Sequence, residues 1–307
     1  MTDHDRAQQR AGFVYGTAGF LFWGLSPIFW KLLDHVEAMQ LLAHRVIWCG
    51  LLMAGILVLR QDRQLFRALR RRKTFLTLVF STLLIGTNWY AYIYAVVSGQ
   101  ILQASLGYFI NPLVNVLFGV FFLREELRPQ QKLAVAIAAT GVAVLTWSVG
   151  ELPWISLFLA FSFALYGLVR KTVDATPEQG LALETWLLTP IAAVFLLLQH
   201  QGDGGAFGAH GLGSDLLLLL TGAVTATPLL LFTHGARRLP LSTIGILQYI
   251  APTCQFLLAV LVYREPFDVE QLVAFVLIWT ALAVFTADLR RVAKRNAADR
   301  GAAASKP

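Results

Sequence analysis

The chain reads as an all-α integral membrane protein with ten transmembrane helices, arranged as two inverted five-helix repeats. Three observations predict this: a composition too apolar for a soluble globule, ten apolar runs of spanning length, and a repeat that matches one half of the chain to the other. Of 307 residues, 57% are apolar or aromatic and 14% are Asp, Glu, Lys or Arg, where soluble domains average about 25% charged. Ten spans of about 20 residues take roughly 200 positions and leave about a hundred for loops and tails, so no length remains for a separate aqueous domain.

The runs follow in order. Ala11 to Trp30 is longer than a signal h-region and has no clear A-x-A cleavage site, so it is expected to stay as the first span. Leu41 to Leu59, Thr74 to Val97, Ile101 to Leu123 and Leu133 to Ser148 complete the first five. Leu152 to Val169, Leu181 to Leu198, Leu216 to His234, Pro240 to Tyr263 and Leu272 to Ala287 are the second five. Arg45 and Glu184 fall inside these runs. A charge at the helix centre costs about 2.5 to 3.5 kcal/mol on insertion scales, so each belongs within a turn or two of a membrane face. Pro27, Pro190, Pro228, Gly12 and Gly16 read as kinks and close helix packing. Cys49 and Cys254 read as small apolar thiols in spans. The glycine-rich stretch Gly202 to Gly213 reads as a periplasmic loop, and His200 just before it and His210 within it are too few and too loosely set for a metal site.

Charge sets the orientation. The net charge of +7 is concentrated between runs, in Arg60, Arg63, Arg67, Arg70, Arg71, Arg72 and Lys73 and in the tail from Arg290 to Lys306. With a cytoplasmic N-terminus, all of the 25 Lys and Arg except Lys31, Arg45 and Arg264 fall on the inside, as the positive-inside rule requires. Both termini are therefore expected in the cytoplasm, and the basic segments serve as topological anchors rather than a nucleic-acid site.

Pro112 is followed twelve residues later by Arg124-Glu125, and Pro252 twelve residues later by Arg264-Glu265. The same offset of 140 maps Gln131 onto Gln271, Ala134 onto Ala274 and His44 onto Glu184, while Ser105-Leu106-Gly107 matches Thr243-Ile244-Gly245 at an offset of 138. One half runs from about 11 to 149, the other from about 151 to 289, and 290–307 is a basic cytoplasmic tail. Five helices per half is an odd number, so the second half enters the membrane upside down. Such halves enclose a substrate cavity at their interface and open it alternately to each side.

The segments His44-Arg45-Val46-Ile47-Trp48, Ala104-Ser105-Leu106-Gly107-Tyr108-Phe109-Ile110-Asn111-Pro112-Leu113-Val114-Asn115 and Phe161-Ser162-Phe163-Ala164-Leu165-Tyr166-Gly167-Leu168-Val169-Arg170-Lys171 resemble the RarD subgroup of the EamA family, in the drug/metabolite transporter superfamily. The resemblance runs from about Ala11 to Asp288. It implies a ten-helix permease of the bacterial inner membrane with two EamA repeats and cytoplasmic termini. The subgroup is associated by name with chloramphenicol sensitivity or resistance, and the name supplies no physiological substrate.

Several residues are candidates for the transport path. Asn88, Asn111, Asn115, Gln248 and Gln255 carry amides into apolar spans, where an unpaired amide is costly, so they face another helix or a wet cavity. Asn111 and Gln248 stand within a turn before Pro112 and Pro252, which free a backbone carbonyl for water or solute. Trp89, Tyr108 and Tyr249 adjoin polar residues in mid-helix and suit either a solute pocket or core packing. The substrate-binding candidates are thus Asn88, Trp89, Tyr108, Asn111, Gln248 and Tyr249. His44, Arg45 and Glu184 are the gate or proton-coupling candidates, with snorkelling as the alternative for Arg45.

The chain has no H-E-x-x-H pair, G-x-S-x-G elbow, paired intramembrane aspartates or Walker A segment, so no enzyme, cofactor or ATP-driven pump is predicted. The expected function is a gradient-driven carrier whose partners are a small organic solute, the bilayer and, as a candidate coupling ion, the proton. A passive channel or facilitator, or a membrane sensor, fits the hydropathy equally well. A channel has less need of an inverted duplication, and an intramembrane enzyme ranks below both.

Overall fold

Inside a bilayer the backbone has no water to bond, so each apolar run must close its hydrogen bonds within itself. The computed structural model does this with helices, and it describes residues 3–61, 71–97, 101–149, 154–201, 205–262, 264 and 269–304. Arg63, Arg67 and Arg70 of the basic loop, Glu265 and Lys306 lie outside the described residues.

The helices are α1 (Asp3–Trp30), α2 (Ala38–Leu59), α3 (Arg72–Val97), α4 (Ile101–Leu123), α5 (Pro129–Val149), α6 (Trp154–Thr172), α7 (Pro177–Gln201), α8 (Leu212–Ala236), α9 (Leu241–Gln248), α10 (Ile250–Leu257) and α11 (Val269–Ala304). A 3₁₀ turn, Lys31–Leu33, follows α1, and a π-helical turn, Leu258–Val262, prolongs α10. Among the described residues, nine helical segments are long and apolar enough to cross a membrane, with α9, α10 and the π turn counted as one. The tenth segment, α5, packs along α11, with Gly141 against the Ala274 carbonyl.

Two features depart from the sequence-based elements. The helices overrun their apolar cores, because polar turns stay hydrogen-bonded where water begins: α1 starts at Asp3, and α11 continues to Ala304 through most of the expected tail. The ninth run is not one helix but two, meeting at Tyr249. Pro252 has no N–H for the Gln248 carbonyl, and the ladder resumes with Thr253 N–H on the Tyr249 carbonyl at 3.1 Å. Its counterpart Pro112 lies inside unbroken α4.

The packing repeats under exchange of the halves. α1 lies on α8 and on the α9–α10 segment, as α6 lies on α3 and α4, while the pairs α2–α7, α5–α11 and α4–α9 map onto themselves. Arg124 and Arg264, equivalent in the repeat, both adopt a left-handed backbone with φ of 53°. Gly245 lets α4 and α9 touch, since a Cβ there would stand 2.5 Å from the Pro112 carbonyl oxygen.

The first and last helices bring their outer ends to one face of the bundle. Arg238 Nε donates to Gln8 Oε1 at 2.9 Å, Glu125 accepts from the Leu241 amide, and Arg128 Nε donates to Asp288 Oδ2 at 2.7 Å. The start of α1 and the end of the apolar part of α11 therefore lie together, at the terminal face.

Candidate central cavity

A cavity of about 620 Å³ lies between the halves, lined by α1 to α4 from the first and α6, α8, α9 and α10 from the second. Its wall runs from Lys31 and Asp34, in the α1–α2 connection, down to Asn111 and Gln248. That connection is on the face opposite the termini, so the cavity opens away from the terminal face.

The floor is an amide cluster at the α4–α9 crossing. Asn115 Nδ2 donates to Asn111 Oδ1 at 3.0 Å and to Gln248 Oε1 at 2.7 Å, and Asn111 Nδ2 donates to the Ala160 carbonyl at 2.6 Å. One cluster thereby joins both repeats. Gln248, Ala251 and Pro252 all line the cavity, so the break in the ninth segment lies where irregular backbone can reach solvent.

Higher on the wall, Arg45 Nε donates to Thr225 Oγ1 at 3.0 Å. Its guanidinium carbon stands 5.0 Å from the centre of the Trp30 ring and 5.3 Å from that of Trp89, within cation–π range. Tyr92 and Tyr108 meet edge to face at 6.1 Å beside it. Asn88 is fixed by donating to the Leu159 carbonyl at 3.0 Å and to Ser162 Oγ at 2.9 Å.

Of the six substrate-binding candidates, Asn88, Trp89, Tyr108, Asn111 and Gln248 line this cavity. Tyr249 does not. One residue along a helix turns the side chain by about 100°, which sends Tyr249 into the core among α4, α5 and α11, where its hydroxyl donates to the Phe109 carbonyl at 3.2 Å. Of the gate candidates only Arg45 faces the cavity. His44 is buried, accepts from Trp48 Nε1 at 3.2 Å and stacks on Phe207 of the α7–α8 connection.

Glu184 lies toward the terminal face and is 1% exposed. It accepts from Ser81 Oγ at 2.5 Å and Tyr166 at 3.3 Å, with Arg170 Nη1 at 3.7 Å. Arg170, read from sequence as a loop cation, is 1% exposed. Its guanidinium lies across Gly180, where a Cβ would stand 1.3 Å from Nη1, and Nη2 donates to the Pro177 carbonyl at 2.7 Å. The apolar run ends at Val169, so nothing in its hydropathy marks Arg170 as buried. The signal was Glu184, a buried carboxylate in need of a cation.

Glu125, absent from the sequence-based candidates, reaches from the first repeat to cap α9. It accepts from the Leu241 amide at 2.6 Å, the Ser242 amide at 2.9 Å and Ser242 Oγ at 2.6 Å. A carboxylate there satisfies free helix donors and meets the positive end of the dipole. Arg60 with Glu178 at 2.9 Å, Arg71 with Asp174, and Arg128 with Asp288 also bind first half to second on this face. Among the described residues no group of three or more His, Cys, Asp or Glu is placed to hold a metal.

Comparison with known proteins agrees with this architecture. The sequence profile of the EamA-like transporter family matches residues 10–147 and 152–287. The chain is 46% identical to Protein RarD of Salmonella typhi over 92% of this chain and 97% of that one. It is 30% identical to the chloramphenicol-sensitive protein RarD of Pseudomonas aeruginosa over 93% and 97%. A solved crystal structure superposes with a TM-score of 0.70 over 92% of this chain and 99% of the other at 20% identity, a likeness of fold.

Proposed function

The chain belongs to the EamA-like transporter family and is a RarD-like multi-pass membrane transporter; from that premise we propose that it is a secondary carrier of a small organic solute, working by alternating access through the central cavity. The observation that carries this reading is a cavity built by both halves, reaching one face and closed toward the other by links that each join half to half. A channel needs a continuous path, and the amide floor with the bonded terminal end favours a carrier.

With the basic terminal face in the cytoplasm, the structure is the outward-open state of a bacterial inner-membrane protein. The solute enters past Lys31 and Asp34, rests above Asn111 and Gln248, and is released inward when the terminal links part and the mouth closes. Amphipathic drugs such as chloramphenicol fall within the solute class that the relative's name suggests. Glu184 is the proton-coupling candidate, since opening the terminal end hydrates its carboxylate and separates it from Ser81 of the first half. Glu184→Gln is expected to fold and to lose uptake driven by a pH gradient in vesicles; unchanged uptake removes this role.

A thermal-shift screen of small amphipathic solutes selects a ligand, and flux of that ligand in liposomes tests the reading. Saturable flux with counterflow is the expected result. Unsaturating flux would indicate a channel, and no flux with chemically altered lipid an enzyme.

A further inference from the structure

Among the described residues that line the cavity, Arg45 is the charged side chain set below the mouth, where Lys31 and Asp34 face water and offset one another. No carboxylate among the described residues pairs with it. Glu125, Glu178 and Glu184 are engaged at the terminal end, and Asp34 is 78% exposed. Thr225 takes the Nε hydrogen and two indoles flank the guanidinium, so the plane is fixed while Nη1 and Nη2 donate to nothing else in the described protein. The groups around it, Tyr92, Tyr108, Asn88 and Gln248, are neutral hydroxyls and amides.

From this arrangement we infer that the transported solute carries one carboxylate, received by Arg45, on an apolar or aromatic body that lies against Trp23, Trp89 and Phe163. The inference rests on the cavity being the transport site and adds the chemistry of its occupant. A cation in a poorly solvated wall is costly unless paired, and the family of contacts around Arg45 supplies orientation without charge. The free edge of a guanidinium offers two parallel N–H groups at the spacing of a carboxylate's oxygens. One cation matches one negative charge: a dianion would bring an unpaired charge into the site, and an amine would be repelled. Below this edge the wall is aromatic, with Trp23 and Phe163 edge to face at 5.9 Å, and the cavity is of ligand size.

The same geometry couples recognition to movement. Arg45 stands on α2 of the first half and its anchor Thr225 on α8 of the second. A carboxylate held there neutralises the charge that spans the two halves, so a loaded mouth can close over it without burying an unpaired cation.

The test is binding by the purified protein, read by calorimetry, of matched compounds that differ in charge: phenylacetate and indole-3-acetate, their primary amides, and phenethylamine and tryptamine. The expected order is carboxylate tightest, amide weaker, amine weakest. Arg45→Gln should weaken the carboxylates about ten- to a hundred-fold, the loss of a charge-assisted hydrogen bond, and move the amides less than about three-fold. Arg45→Lys should keep part of the preference, because the charge remains while the two-pronged edge is lost. If Arg45→Gln does not fold, the charge order in the unaltered protein decides alone. Amides or amines that bind as tightly as the carboxylates, or a preference that Arg45→Gln leaves intact, would overturn the inference and leave the cavity reading standing. Binding of none of the six compounds would overturn the inference; failure of every solute in the wider screen would overturn the cavity reading with it.

Discussion

The two ends of the central cavity are closed and opened by different chemistry. At the terminal end, carboxylates meet cations or helix amides: Glu178 with Arg60 and Glu125 on the start of α9 across the repeat boundary, and Glu184 with Arg170 within the second half. At the other end a cation faces two indoles and a hydroxyl, with no carboxylate among the described residues beside it. Paired charges hold two surfaces together, yet each regains water when the surfaces part, so such a closure is reversible. A cation whose partner is missing from the protein holds nothing shut and waits for one from outside. The difference marks one end as a bolt and the other as a receptor.

Substitutions at the closed end should act on stability and on access, and those at the open end on affinity. The largest effect is expected from Arg170→Met. It leaves Glu184 buried without a cation, and breaking such a pair typically costs about 3 to 5 kcal/mol. The thermal unfolding midpoint in detergent should fall, and Glu184→Gln in the same chain should restore part of it. A midpoint that stays put would deny the pair its role.

Gly180→Ala comes next. Its methyl would occupy the place of the Arg170 guanidinium, and overpacking of that kind costs about 1 to 3 kcal/mol. The same melting measurement reads it, and a neutral result would mean that the guanidinium can shift aside.

Glu125→Gln should matter less to stability, about 1 kcal/mol for a weakened cap, and more to the balance of states. An impermeant thiol reagent applied to the terminal face should label Asn111→Cys faster in that background. Equal labelling rates would make Glu125 a fold cap and not part of the closure.

The smallest effect belongs to the open end. Thr225→Val removes the acceptor of Arg45 Nε, worth about 1 kcal/mol or less, and should leave melting near that of the unaltered chain while weakening carboxylate binding several-fold. A large loss of stability with no change in affinity would reverse the contrast between the ends.

Much of the architecture is legible because a bilayer makes polar residues conspicuous. Asn88, Arg45, Asn111 and Gln248 interrupt apolar runs, and each lines the cavity. The repeated Pro112 and Pro252 mark the crossing at which the amide floor forms. The misplacements have a common physical source, since hydropathy tells how deep a residue lies but not which way it points or what waits beside it. Tyr249 shares Gln248's depth and lies a hundred degrees or so around the helix. Arg170 stands one position past its apolar run, at the depth of a loop, and turns inward to Glu184. His44 and Glu184 occupy equivalent positions by sequence, yet one stacks on Phe207 and the other meets Arg170, because the segments that reach those positions differ between the halves. Glu125 was counted only as part of a repeated pair; its partners lie 116 and 117 residues away, beyond what local pattern can convey.

Alternating access requires that one cavity serve both faces in turn. Spin labels at Glu126→Cys and Arg237→Cys would span the terminal face, and a second pair at Asp34→Cys and Leu261→Cys the open face, in chains lacking Cys49 and Cys254. Pulsed electron resonance distances in lipid nanodiscs should show two populations for each pair, with the terminal distance lengthening as the mouth distance shortens when solute is added. A single distance at each face, unmoved by any bound solute, would contradict alternating access through this cavity.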